Sequence, residues 1–377
     1  MLRRLIILST AILLGSAALN DAAAQQFSFR PFKKPVRLAL VMPFNSSAQE
    51  PSKECMDFYS GALMAIEAKK AEGVSVKLKV IDLPTAKLDD NSFAMTIDDC
   101  NAVIGPFAAA DLKKILPQCQ LAGVPLISPL DQKALEIAVN EPLFFQVPTP
   151  HAIQAANLVE SIPLEEGGSV TVFYRSMEDS FAKQVTDALE DFGIPYKKIS
   201  YNVSRGRSIT DSLRRAMRAG ENNYVIVASE EEAFASDVVR NMSLIKKSCP
   251  GLYVYVSNKV RNFGTIDADI PYKLGARLST GYFIDYRDTA TQSFIRKYRA
   301  LYHAEPSQYA FSGYDIFYFF ISAINDLQGA FRDFVPYYTL DLLQSNILFR
   351  RISEEGGYVN IRTRDVEYQN DYSIEVR

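Results

Sequence analysis

Two Ser-x-x-Lys spacings, Ser180-Phe-Ala-Lys183 and Ser243-Leu-Ile-Lys246, are the residues whose types best suit nucleophilic chemistry. On a helix this spacing sets an amine one turn from a hydroxyl, as in β-lactamase-type acyl transfer. That chemistry also needs Ser-Asp-Asn and Lys-Thr-Gly companions, and neither is present. His151 and His303 have no patterned serine, cysteine or carboxylate partner, and no GxSxG, HExxH, P-loop or GxGxxG motif occurs. Cys55, Cys100, Cys119 and Cys249 show neither CxxC nor Cys/His metal spacing. The sequence therefore argues against an enzyme and implies no cofactor or metal.

The N-terminus carries an address. Arg3 and Arg4 precede an apolar run from Leu5 to Leu19, and Ala22-Ala23-Ala24 offers an A-x-A cleavage site before Gln25. This reads as a secretory signal peptide over 1–24, with a linker over 25–35. Cleavage removes Arg3, Arg4 and Asp21, taking the formal charge from −3 to −4. No basic aromatic-interleaved patch follows, which excludes a nucleic-acid partner. No later stretch reaches the apolar length of a membrane span. The expected location is the periplasm, an oxidising compartment, where a Cys100–Cys119 disulfide at one sheet edge and four buried free thiols are comparable alternatives.

The elements that must position any site alternate. "VRLALVMPF", "VSVKLKVID", "NAVIGPF" and "VPLISP" read as strands separated by helices, and a helix is expected over 111–122 with Pro117 disturbing it. After "FFQVPTPHAIQAANLV" the same rhythm restarts, with strands "SVTVFY", one near 197–203, "YVIVAS" and "LYVYVS". Such alternation predicts two similar parallel α/β lobes with right-handed crossovers. "YAFSGYDIFYFFISAINDL" predicts a buried helix, "LLQSNILFRRISEEGGYVN" a terminal helix, and "VEYQNDYSIEV" a short hairpin.

Four blocks resemble the type I periplasmic binding proteins, the leucine/isoleucine/valine-binding group. They are "VIGPFAAADLKKILPQCQLAGVPLISP", "FFQVPTPHAIQAANLV", "VTVFYRSMEDSFAKQVTDALEDFGI" and "FIRKYRALYHAEPSQYAFSGYDIFYFFISAI". The last is the most specific, through Phe294, Tyr298, Pro306, Tyr309, Ala310, Gly313, Tyr314 and Asp315. The ending resembles a subgroup often fused to LysM modules. The resemblance implies three inter-lobe crossings, near 146–150, 280–285 and 327–335. Lobe one is then 36–148 plus 281–327, and lobe two 149–280 plus 328–377.

In open α/β sheets, ligands sit beyond the carboxyl ends of strands, where loops and helix N-termini present free N–H groups. Two such edges facing across hinges make a closing cleft. The candidates by position are Phe44, Asn45, Ser46, Phe107, Ala108, Ser128 and Asp131 in lobe one. Lobe two supplies Arg175, Glu178, Asp179, Ser229, Glu230, Asn258 and Lys259. The plain alternative for each is a solvated loop side chain, a strand terminator for Ser128, or a loop plug for Phe107.

The resemblance also implies hydroxyl residues that would hold an α-carboxylate, and here the chain departs from it. Ala108, Ala109 and Ala110 stand at the first place, and Leu130, Asp131 and Gln132 at the second. Asp131 would repel a carboxylate, and Lys259 an ammonium. A branched-chain amino acid is therefore not the expected ligand. The expected function is a solute-binding protein closing on a small polar ligand for an ABC importer or a sensor. The alternative is a ligand-free scaffold working with peptidoglycan machinery.

Overall fold

The computed structural model describes residues 34–45, 52–88, 90–164, 167–203, 209–218 and 220–377. The expected signal peptide and Ser46 lie outside the described residues, and so does the linker apart from Lys34 and Pro35.

Apolar runs bounded by turns become strands wherever both faces are covered. The first sheet takes β1 (Val36–Met42), β2 (Val76–Asp82), β3 (Ala102–Ile104), β4 (Leu126–Ser128) and β5 (Phe144–Gln146). The second takes β6 (Ser169–Phe173), β7 (Tyr196–Ile199), β8 (Asn223–Val227), β9 (Leu252–Val256) and β10 (Arg277–Thr280). Within each set of five, neighbours pair in parallel, in the orders 2-1-3-4-5 and 7-6-8-9-10. The two lobes thus share one topology, as the repeated rhythm predicts. Both belong to a single unit spanning 36–377.

Helices cover the faces: α1 (Lys53–Ala71), α2 (Ser92–Ile97) and α3 (Ala109–Ala122) in lobe one. Lobe two has α4 (His151–Glu160), α5 (Ser180–Asp191), α6 (Thr210–Ala216), α7 (Glu232–Lys246) and α8 (Ile270–Leu274). Helix α3 runs through Pro117 without a break, contrary to expectation, and ends at Gly123 in the left-handed conformation (φ 66°).

The chain returns to lobe one through α9 (Thr289–Tyr302) and α10 (Gln308–Leu327). Helix α10 is buried on several faces and crosses α1 at backbone contact. A Cβ on Gly61 would lie 1.9 Å from the Ala310 carbonyl oxygen, and one on Gly313 2.0 Å from that of Phe58. Only glycine at both places lets the helices meet. Beneath them Phe145 stacks on Tyr358 at 4.5 Å and meets Phe349 edge-on at 5.3 Å.

The tail departs from expectation. "LLQSNILFRRISEEGGYVN" forms no terminal helix. It supplies β11 (Phe349–Arg351) and β12 (Tyr358–Asn360), which join the first sheet beside β5. Residues 328–360 therefore continue lobe one, and the third crossing falls at 361–363 rather than 327–335. The expected hairpin is present as β13 (Arg364–Tyr368) and β14 (Ile374–Val376), antiparallel on β10 in the second sheet. The reason is pairing: Phe349 and Tyr358 find aromatic partners across the sheet that a local helix would not offer.

Cys100 and Cys119 are both free thiols, not a disulfide. Each is buried in the apolar cluster between β3, β4 and α3, where a small hydrophobe fits. Burial pushes the Cys100 thiol up to about 11 and the Cys119 thiol up to about 12.

Candidate functional site: the inter-lobe cleft

A cavity of about 450 Å³ opens where the carboxyl ends of β4, β5, β9 and β10 converge on the crossings. Its wall is built by chain reversals. Val147, Pro148 and Thr149 carry the chain out of lobe one, and Thr280, Gly281 and Tyr282 bring it back. The crossings are tied together. The Thr149 hydroxyl donates to the Arg362 carbonyl, and Asn157 Nδ2 donates to Ile361 O (3.1 Å) and Thr363 Oγ1 (2.9 Å). Phe283 N donates to Gln344 O at 2.8 Å, beside a Tyr282–Ser345 bridge.

Of the candidates named from sequence, Glu230, Asn258 and Lys259 line this cavity. Phe44 is core, edge-on to Tyr59 at 5.9 Å. Asn45 turns the chain at φ 54°, its N–H donating to Asp82 Oδ1 at 3.2 Å. Phe107 is a plug, between Phe58 (5.3 Å) and Tyr309 (6.0 Å). Ala108 leads into α3 in extended backbone. Ser128 is fully buried, and its hydroxyl has no partner. Arg175 reaches Asn202 Oδ1 at 2.8 Å, and Glu178 is exposed on the same loop.

The two remaining carboxylates, Asp131 and Asp179, are taken up by the chain's own groups. Asp131 Oδ2 accepts from Ala109 N at 2.7 Å, and its Oδ1 accepts from Lys133 N at 2.9 Å. The positive end of α3 is thus met by the chain's own anion. Lobe two repeats the device. Asp179 Oδ1 caps α5 through Phe181 N at 2.9 Å, while Oδ2 accepts from Ser229 Oγ (3.2 Å) and Glu230 N (3.1 Å). Glu230 is occupied as well, by Lys259 Nζ at 2.5 Å and Ser257 Oγ at 2.9 Å.

The polar side chains that line the cavity are mostly amides and hydroxyls, Gln132, Gln154, Asn262, Gln308, Ser312 and Gln344 among them, beside apolar residues such as Leu130, Val147, Phe181 and Ile316. Sequence reasoning missed these residues. Gln344 sat in a segment read as helix, and Gln308 and Ser312 lie on a helix whose placement depends on a fold-back of some 250 positions, from α1 to α10. Asp315 was legible through its motif, but its role was not. Fully buried, it accepts from Leu343 N (2.8 Å), Gln344 N (2.9 Å) and Ser345 N (2.8 Å), holding the segment that presents Gln344. Burial raises its carboxyl above the usual range, against the pull of those donors.

The lysines of the two Ser-x-x-Lys pairs are differently placed. Lys183 is exposed, and the Lys246 amine donates to the carbonyls of Pro250 (3.2 Å) and Leu252 (2.5 Å). Among the described residues no cluster of three or more His, Cys, Asp or Glu side chains could hold a metal ion, and no helix is long and apolar enough to cross a membrane.

Comparison with solved structures identifies the architecture as the type I periplasmic-binding fold. A candidate branched-chain amino acid ABC transporter protein from Rhodospirillum rubrum matches 91% of this chain and all of its own, at 19% identity and a TM-score of 0.62. The ABC transporter substrate-binding protein of Desulfitobacterium hafniense matches with the same coverage, at 17% identity and 0.51. The C-domain of LpoA from Haemophilus influenzae, a regulator of PBP1A, matches 90% of this chain and 99% of its own, at 14% and 0.54. No family model and no curated protein sequence matches the chain.

Proposed function

We propose that this protein is an exported, non-enzymatic solute-binding protein that closes its two lobes on a small polar ligand for an ABC importer or a sensor. The observation that carries the reading is the cavity at the crossings, lined from both sheets and furnished with buried polar groups, in a fold it shares with substrate-binding proteins. Its size lies within the usual range for small-molecule sites. The hinge-linked crossings allow the lobes to close by small backbone rotations.

A second reading has its own support. With Asp131 and Asp179 occupying the helix ends, the scaffold resembles one that has lost an amino-acid ligand, as in a cell-envelope regulator like the LpoA C-domain. A thermal-shift screen of the secreted chain against amino acids, peptides, nucleosides, sugars and muropeptides separates the two. A ligand that binds only the folded state stabilises it by about 2.7 kcal/mol at a hundredfold excess over its Kd. A saturable shift with one class supports solute binding. A folded protein shifted by no compound refutes it and favours the regulator.

A further inference from the structure

We propose that Arg364 is a latch between the lobes: carried by lobe two, its guanidinium grips the lobe-one segment 342–345 and keeps the lobes in the arrangement in which both line the cavity. The latch acts on the site of the solute-binding reading, with or without a solute in it.

Arg364 opens β13 in register with Thr280 of β10, so its main chain belongs to the second sheet. Its side chain leaves that sheet. Nη2 donates to Leu342 O at 2.6 Å and to Ser345 O at 2.9 Å. Those carbonyls lie on a segment anchored in lobe one, where Asp315 of α10 accepts the N–H groups of residues 343–345. Gln344 and Ser345 of the same segment line the cavity. One short stretch of cavity wall is thus held by lobe one through its N–H groups and by lobe two through its carbonyls.

Charge points the same way. Burial disfavours the Arg364 cation, and Asp315, Asp288, Asp341 and Asp285 offset part of that cost. Asp288, Asp315 and Asp341 belong to lobe one, and Asp285 to the crossing that enters it. A cation of one lobe is therefore half-buried beside carboxylates of the other. Both bonds leave from one nitrogen, and the buried Nε has no acceptor among the described residues, so the grip lets go as a unit. The neighbouring ties differ. Bonds from Thr149, Asn157 and Asn346 end on the crossing 361–363 itself and belong to the hinge. Arg287 reaches Ile374 O from an exposed position, where water competes.

The test measures the distance between nitroxide labels on Lys113→Cys of α3 and Lys183→Cys of α5, in a Cys249→Ser background, by pulsed electron resonance with no solute added. The wild-type latch should give one narrow distance population. Arg364→Met removes the charged donors and should raise any second population about tenfold, with circular dichroism unchanged. If that variant does not fold, Arg364→Lys carries the test, since a single amine cannot copy the planar fork and should raise the second population by a smaller factor. A folded variant with the wild-type distribution overturns the latch, even if its melting point falls, because Arg364 would then support the fold alone. A wild type as broad as the variant overturns it too. Neither result bears on whether the cavity binds a solute, which the thermal-shift screen decides separately.

Discussion

Removing the Asp315 carboxylate tests how the cavity wall is held. Its Oδ2 accepts two main-chain N–H groups and its Oδ1 a third, all within 2.9 Å. Asp315→Asn can keep an oxygen facing Gln344 and Ser345 but turns an NH₂ towards Leu343 N. One charge-assisted bond worth about 1.5–3 kcal/mol is lost, so urea unfolding at pH 7 should show a loss of that size. Asp315→Ala strands all three donors and should cost more, about 3–5 kcal/mol once water entry relieves part of the strain. The pH dependence is fixed by the raised carboxyl. A folded-state value above the unfolded one favours folding most at pH below the ordinary carboxylate range, and that advantage fades as pH rises. The gap between wild type and Asp315→Asn should therefore be wider at pH 4 than at pH 7. A loss under about 0.5 kcal/mol at pH 7, with no widening in acid, would refute the account of how segment 343–345 is held.

Three more expectations concern the frame. Gly61→Ala or Gly313→Ala drives a Cβ into main-chain oxygen and should destabilise by about 3 kcal/mol or more, read by chemical denaturation. Asp131→Ala removes the acceptor at the start of α3 and should cost about 0.5–2 kcal/mol by the same measure. Cys100 and Cys119 should resist iodoacetamide at pH 8 in native protein and react quickly in guanidinium, followed by mass spectrometry. Their raised thiols also favour folding up to about pH 9, near the unfolded value, and withdraw that support as pH climbs towards 11.

The fold was legible because its central strands are buried apolar runs. "SVTVF" and "NYVIV" are buried at every position, and helices with glycine stops separate the runs. The tail was not legible, because β5, the strand that draws β12 and with it β11 into the sheet, lies some 200 residues away in sequence. Phe349 packs against Phe145, Phe319 and Phe320, and Tyr358 against Phe145, all distant in sequence from the tail. The site was half legible. Position after a strand picked out Glu230, Asn258 and Lys259, but it could not separate a ligand contact from a cap. Asp131 and Asp179 follow strands as the pattern requires, yet spend their oxygens on helix starts and neighbouring loops. Gln132 and Gln344 carry no sequence signature, since only the folded chain brings them to the cavity.

The glycine crossing of α1 and α10 also has a temporal meaning. Residues 151–280 of the second lobe are nearly contiguous and need only β13 and β14 to complete their sheet. The first lobe cannot cover the face of α1 until Gly313 arrives, more than 250 positions after Gly61. Such a long loop closure is slow. A nascent chain would thus carry both lobes unfinished until its end, when α10 and then β11 and β12 complete the first and β13 and β14 the second.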